Sequence, residues 1–324
     1  MSTVRTYLSL IRFSHTIFAM PFAMIGFFLA LAEPHFAGPL SFEGLGGDGF
    51  LSAPAAGISA DSLIYKLNST DNRYVLIGIY LLLVIACMVF ARSAAMAFNR
   101  YLDRHFDAKN PRTAIREIPA GILSASSVLW FTIINCILFI VCTWFINRTC
   151  FYLSPVALLV VLGYSYTKRF TPLCHLVLGL GLSLAPIGAY LAVTGAFALL
   201  PVLFSFAVIF WVSGFDIIYA LQDEEFDRTE KLFSMPSWLG KQKALRVSEV
   251  LHLLSALCVI AGGIYGQFHW LYWVGVAVFA GMLVYQHSIV RPDDLRKVNL
   301  AFMTANGIAS IVFALFVIAD LFIN

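Results

Sequence analysis

Charge is what this sequence has least of. Asp, Glu, Lys and Arg make up only 12% of its 324 residues, against roughly 25% in an ordinary soluble domain. With 60% hydrophobic residues and a mean hydropathy of +0.85, that scarcity excludes a soluble globular protein and leaves one embedded in a lipid bilayer. The net charge of +3 is too small to favour a nucleic-acid partner. Cysteine is also sparse. Cys87, Cys136, Cys142, Cys150, Cys174 and Cys258 form no CxxC pair and lie mostly in apolar runs. They read as small buried hydrophobes, neither a zinc site nor a disulfide framework. Arg5 and Arg12 precede the first apolar run, but no small-residue A-x-A site leads from it into a soluble domain, so no cleaved signal peptide is expected. No soluble domain is visible, and residues 1–324 are expected to form one membrane domain. Nothing in the sequence asks for an obligate protein partner.

What is present is apolar length. Runs of about 17–25 residues are long enough to span a bilayer as helices, and about nine can be read: 14–33, 74–98, 122–146, 151–167, 173–196, 200–221, 247–267, 269–290 and 299–323. The third and fourth are separated only by Asn147–Cys150, which predicts a tight hairpin. The fold class is therefore all-α, a bundle of about nine transmembrane helices around a central cavity. Basic residues orient it. With the N-terminus inside, most of the 21 Lys and Arg fall in the inner loops, as the positive-inside rule requires. The expected topology has the N-terminus cytoplasmic, the C-terminus outside and the cavity open to the cytoplasmic side. Residues 34–73, rich in Gly, Ala, Ser and Pro, are expected as an external insertion loop. Residues 228–246 are expected as a cytoplasmic cap loop or a plain linker.

Against this apolar background the acidic residues cluster in two stretches. In Ala91–Gly121, Asn99, Asp103 and Asp107 recur at i, i+4 and i+8, one stripe of a helix, and Arg92 lies two turns earlier on the same face. In Gly214–Lys231, Asp216, Asp223 and Asp227 recur at i, i+7 and i+11, again within a narrow arc. An Asp in a spanning helix costs about 2.5–3.5 kcal/mol at its centre and is a functional hypothesis by default. One such stripe could be a solvated helix end that only marks the membrane boundary. Two of them, on helices far apart in sequence and on the same side, would make a two-sided clamp for divalent cations and a diphosphate. Carboxylate and amide oxygens are hard ligands, which favours Mg²⁺. Arg112 and Arg116, in the polar segment after the first stripe, either close over a diphosphate or only satisfy the charge rule. His175 reads as a satisfied interfacial histidine.

The segments N-R-Y-L-D-R-H-F-D (99–107) and D-I-I-Y-A-L-Q-D-E-E-F-D (216–227) resemble the two Asp-rich motifs of the UbiA-type intramembrane aromatic prenyltransferases, NxxxDxxxD and a later DxxxD preceded by Y-A-x-x-D. Arg92, R-T-A at 112–114, R-x-I-P-A-G at 116–121, Y-T-K-R at 166–169 and the opening R-F-S-H-T-I-F-A-M-P-F-A extend the resemblance over most of the chain. Glu117 departs from it, standing where many aromatic-acid members carry Pro. The resemblance implies Mg²⁺ held by Asn99, Asp103, Asp107, Asp223 and Asp227, with the four aspartates carrying the catalysis. It implies substrate contacts from Arg92, Arg112, Arg116, Lys168, Asp216 and Tyr219. The implied reaction is transfer from a polyprenyl diphosphate to a hydroxylated aromatic acid acceptor such as 4-hydroxybenzoate, in ubiquinone or menaquinone synthesis at a bacterial inner membrane. The opening motif and Glu117 are also similar to members acting on a dihydroxynaphthoate. Outside this class, a cation-coupled transporter would need acidic residues at mid-membrane on interrupted helices. A CDP-alcohol phosphotransferase would need D-G-x-x-A-R, which is missing here.

Overall fold

The computed structural model describes residues 3–10, 18–32, 60–67 and 70–323. Most of the expected 34–73 insertion lies outside these residues, as do Arg12 and the His15–Ile17 part of the opening motif. Among the described residues there is no β-sheet, only helices: α1 (Thr3–Leu10), α2 (Met20–Ala32), α3 (Leu63–Leu67), α4 (Arg73–Lys109), α5 (Ala125–Ile146), α6 (Arg148–Thr167), α7 (Cys174–Thr194), α8 (Leu199–Ala220), α9 (Glu224–Thr229), α10 (Met235–Leu239), α11 (Lys241–Tyr265), α12 (Trp270–Ile289) and α13 (Asn306–Ile323). Eight helical segments among the described residues are long and apolar enough to cross a membrane, and α2 is a shorter apolar helix at the place of the first expected span. The chain is thus an all-helical integral membrane protein.

The long helices pack in chain order. α4 lies on α5, α5 on α6, α6 on α7, α7 on α8, α8 on α11, α11 on α12 and α12 on α13; α2 closes the ring against α13, α7 and α4. The hairpin between α5 and α6 is tighter than expected, a single residue. Asn147 caps α6 by accepting from the Cys150 amide at 2.8 Å, while its amide group donates to the Leu191 carbonyl at 2.8 Å. One side chain therefore starts a helix and ties it to the end of α7. The inward approach of α2 depends on Gly26, where any side chain would collide with the Pro186 carbonyl of α7. Half of the bundle is filled by aromatic rings. Phe22, Trp211, Phe279 and Phe313, from α2, α8, α12 and α13, meet at centroid distances of 5.3–6.4 Å. On the other side a cavity lies between α4 and α7.

Two expectations change in detail. The span read as 74–98 continues to Lys109, because nothing helix-breaking occurs before Pro111; α4 carries its first acidic stripe well past the apolar run. The second acidic stretch is not one helix. α8 ends at Ala220, a 3₁₀ turn covers Leu221–Asp223, and α9 restarts at Glu224. Asp216, Asp223 and Asp227 therefore sit on three successive elements.

Candidate active site

The C-terminal ends of α4, α6 and α8 and the N-terminal end of α7 meet at one end of the bundle. There they surround a cavity of about 280 Å³. All of the residues singled out in the sequence line it: Arg92, Asn99, Asp103, Asp107, Arg112, Arg116, Lys168, Asp216, Tyr219, Asp223 and Asp227. Two acidic stretches more than a hundred residues apart in sequence share one enclosure.

Inside it every motif carboxylate has a basic partner. Asp103 meets Arg169 at 3.3 Å and accepts from the Asn99 amide at 3.0 Å; Asp107 pairs with Arg116 at 2.6 Å. Asp223 is held by the Arg112 guanidinium through two nitrogens and accepts from Asn110 at 3.2 Å. Asp227, wholly buried, pairs with Lys168 at 2.7 Å and accepts from Ser234 at 2.8 Å. Burial pulls the Lys168 ammonium towards neutrality, but the Asp227 carboxylate outweighs it, and the net direction is up from the ordinary lysine value. Tyr219 receives a hydrogen bond from Arg112 at 2.9 Å, which stands the ring beside Asp223. The carboxylates do not converge into a ready cage: among the described residues no three Asp, Glu, His or Cys side chains cluster closely enough to enclose an ion. Asp107 Oδ2 is nevertheless buried without a hydrogen-bond partner, an oxygen left with capacity for a cation.

Several participants escaped the sequence reading. Arg169, beside Lys168, was an equal candidate by charge. Asn110 had no signal beyond preceding Pro111. Ser234 reaches Asp227 only because a capping box folds residues 234–237 into the start of α10. The segment expected as a cap or linker packs onto the site: the Phe233 amide donates to the Lys168 carbonyl at 2.7 Å, and Leu232 lines the cavity. Glu117 does not line the cavity; it accepts from Ser9 of α1 at 2.6 Å.

The charged cavity does not stand alone. Arg92, Met96, Tyr164, Leu178 and Leu182 are shared with a second cavity of about 330 Å³, whose other lining is almost wholly apolar, from Val84 and Cys87 down to Ile146, Leu191 and Phe197. It is the cavity between α4 and α7. A charged chamber thus adjoins an apolar one within the membrane bundle, an arrangement with room for an anionic group beside an apolar one.

Comparison with known proteins agrees. Residues 71–308 match the UbiA prenyltransferase family, and the chain belongs to it; it is a membrane prenyltransferase. A 4-hydroxybenzoate octaprenyltransferase of Tolumonas auensis is 32% identical over 236 residues, covering 72% of this chain and 82% of that protein. The apo structure of a UbiA homolog from Aeropyrum pernix K1 superposes with a TM-score of 0.71 at 26% identity, over 95% of this chain and 97% of the other. The fold also matches a UbiA homolog from Archaeoglobus fulgidus bound to DMAPP and Mg²⁺, with a TM-score of 0.65 at 18% identity, over 98% and 99% of the two chains.

Proposed function

We propose that this protein transfers a polyprenyl group from a polyprenyl diphosphate to a ring carbon of a hydroxylated aromatic acid of the 4-hydroxybenzoate type, in quinone synthesis, with Mg²⁺ as cofactor. The observation that carries the reading is the juxtaposition of the two cavities, a chamber lined by the motif carboxylates and their basic partners and an apolar chamber that shares Arg92, Met96, Tyr164, Leu178 and Leu182 with it. The relative's name supports the acceptor class, and the Archaeoglobus complex supports a prenyl diphosphate with Mg²⁺. A dihydroxynaphthoate gains no support from Glu117, because that side chain lies outside the cavity.

The residues fit the cation. Asn99, Asp103, Asp107, Asp223 and Asp227 offer hard oxygens on both sides of one chamber, and Asp107 Oδ2 has no competing donor. Bound there, Mg²⁺ would supply Lewis-acid neutralisation of the leaving diphosphate. The chain's own cations do the rest. Arg112, Arg116, Lys168 and Arg169 are held at the chamber by their carboxylates and can turn to the diphosphate oxygens when those carboxylates are engaged elsewhere. Arg92, at the junction of the chambers, adds a cation at the boundary between head and tail. The apolar chamber takes the prenyl chain and keeps water from the allylic cation formed at the boundary. Tyr219, with Phe302, forms part of the aromatic wall of the charged chamber. By the distribution of Lys and Arg, the charged end faces the cytoplasm, with the N-terminus on that side and the C-terminus outside. Residues 228–246 act as the cap of this single domain.

The test is transfer by purified protein in lipid nanodiscs, with labelled polyprenyl diphosphate and Mg²⁺, offered 4-hydroxybenzoate and 1,4-dihydroxynaphthoate separately. Prenylated 4-hydroxybenzoate, abolished by a chelator, is expected. Transfer to the naphthoate alone would replace the acceptor, and no transfer to either acid with no binding of the diphosphate would overturn the reading.

A further inference from the structure

Asp216 stands apart from the other carboxylates of the chamber. Asp103, Asp107, Asp223 and Asp227 each face an Arg or Lys; Asp216, among the described residues, has only His175, whose Nδ1 lies 2.6 Å from its Oδ2. The imidazole is sealed, with 4% of its side chain exposed, whereas 24% of the Asp216 side chain faces the chamber. A third contact fixes the proton. The Met235 backbone N–H can only donate, and it meets His175 Nε2 at 3.2 Å. Nε2 is therefore an acceptor and carries no hydrogen, which makes His175 the neutral Nδ1–H tautomer, donating to Asp216. Ser213 locks the same turn by donating to the His175 carbonyl at 3.0 Å.

An arginine or lysine beside a carboxylate stabilises its anion and weakens it as a proton acceptor; a neutral donor does so far less. Asp216 is thus the carboxylate best suited to take a proton at the chamber. The aromatic substitution proposed above releases one. We infer that Asp216 accepts that proton and that His175 is its positioning residue, held in the right tautomer by the cap; this assignment rests on the prenyl-transfer reading. In the step, the prenyl C–O bond breaks and diphosphate leaves with the electron pair. The ring carbon forms the new C–C bond with a π pair. Its C–H bond then breaks, the electrons restore the aromatic ring, and the proton passes to the free oxygen of Asp216 and on to water at the mouth. The cap contributes because Met235 begins α10, and the same segment is pinned by Ser234 on Asp227 and by the Cys174 thiol on the Phe233 carbonyl at 3.5 Å. An unseated cap leaves His175 free to change tautomer and Asp216 without its donor.

Two substitutions of one residue separate the contacts. In His175→Asn the side-chain NH₂ stands where Nδ1–H was and keeps the donor to Asp216. In His175→Gln the carbonyl stands where Nε2 was, keeping the acceptor for Met235 and losing that donor. Asp216→Asn removes the proton acceptor itself. The readouts, on folded protein in nanodiscs, are prenylated acid formed, diphosphate released without transfer, and KM for the prenyl diphosphate. Asp216→Asn is expected to lower transfer by roughly 10²–10⁴-fold, the range for a lost general base, with KM for the diphosphate unchanged and a larger fraction of diphosphate released unproductively. His175→Asn is expected within several-fold of wild type, and His175→Gln to fall towards Asp216→Asn. Equal loss in the two His175 variants, or near-normal transfer by Asp216→Asn, overturns the assignment while prenyl transfer by the wild type stands. Absence of transfer by the wild type would instead overturn the function on which it rests.

Discussion

At the scale of single residues, the site is a set of ion pairs that a substrate has to rearrange. Asp227 is the sharpest case, wholly buried with Lys168 and Ser234 as its partners. Asp227→Ala is expected to cost about 10²–10³-fold in kcat, the usual size for one lost electrostatic contact in a catalytic site, and to destabilise the fold by leaving Lys168 without its counter-charge. The double variant Asp227→Leu with Lys168→Met removes both charges. It is expected to recover the melting temperature and none of the activity, since an apolar pair can replace a buried ion pair in stability but not in chemistry. Recovery of turnover in the double variant would remove Asp227 from the reaction. The placement of these residues was legible in part. The spacing of Asn99, Asp103 and Asp107 was enough to place them on one face, because a helical period turns spacing directly into geometry. The partners were not legible: Arg169, Asn110, Ser234 and His175 meet their carboxylates across 7 to 113 positions of sequence, and no local pattern encodes such pairings.

At the scale of elements, the sequence conveyed the spans and missed their ends and interruptions. Apolar runs locate a helix where lipid or core requires it, but a polar helix end such as Asn99–Lys109 is held by packing and by where Pro111 falls. The 3₁₀ turn at Leu221–Asp223 was hidden for the same reason, since the carboxylate periodicity continues through it. Small residues say more. Gly26 faces the Pro186 carbonyl, whereas Gly78, on α4, has open space where a Cβ would stand. Gly26→Val is therefore expected to force α2 off α7 and lower the melting temperature markedly, with Gly78→Val close to wild type or slightly stabilised by the loss of glycine flexibility. Equal effects would mean that α2 has room to shift. A second element depends on one polar side chain. Asn306, buried, accepts from Trp211 at 2.9 Å and Gln286 at 2.7 Å and donates to the Phe302 carbonyl at 2.9 Å, closing the π-helical turn Leu300–Ala305. That turn sets Phe302 against Tyr219 at 4.4 Å, so the aromatic wall of the chamber is held from α12 and α13. Asn306→Leu orphans two buried donors at about 1–3 kcal/mol each and is expected to lower both stability and kcat.

At the scale of the whole molecule, the ring of helices sorts charge to one end and apolar volume to the middle, and both can be tested without knowing the acceptor. Lys241→Cys, at the charged end, and Gln267→Cys, in the α11–α12 turn at the other, are expected to react with an impermeant maleimide from opposite sides of sealed vesicles; labelling from one side would refute the spanning of α11. The ion pairs lead further. With Asp103, Asp107, Asp223 and Asp227 already neutralised by Arg169, Arg116, Arg112 and Lys168, the protein needs no divalent ion to balance its chamber. Mg²⁺ arriving alone has to displace those four cations and leaves them facing one another. Mg²⁺ arriving with a diphosphate gives them an anion to bind. Thermal unfolding is therefore expected to change little on adding Mg²⁺ or a chelator by themselves. Mg²⁺ with a prenyl diphosphate together at about 100 times the dissociation constant should stabilise by about 2.7 kcal/mol. A full shift from Mg²⁺ alone would mean that the carboxylates prefer the ion to their arginines and lysines. The chamber would then be a metal site first and a diphosphate site second.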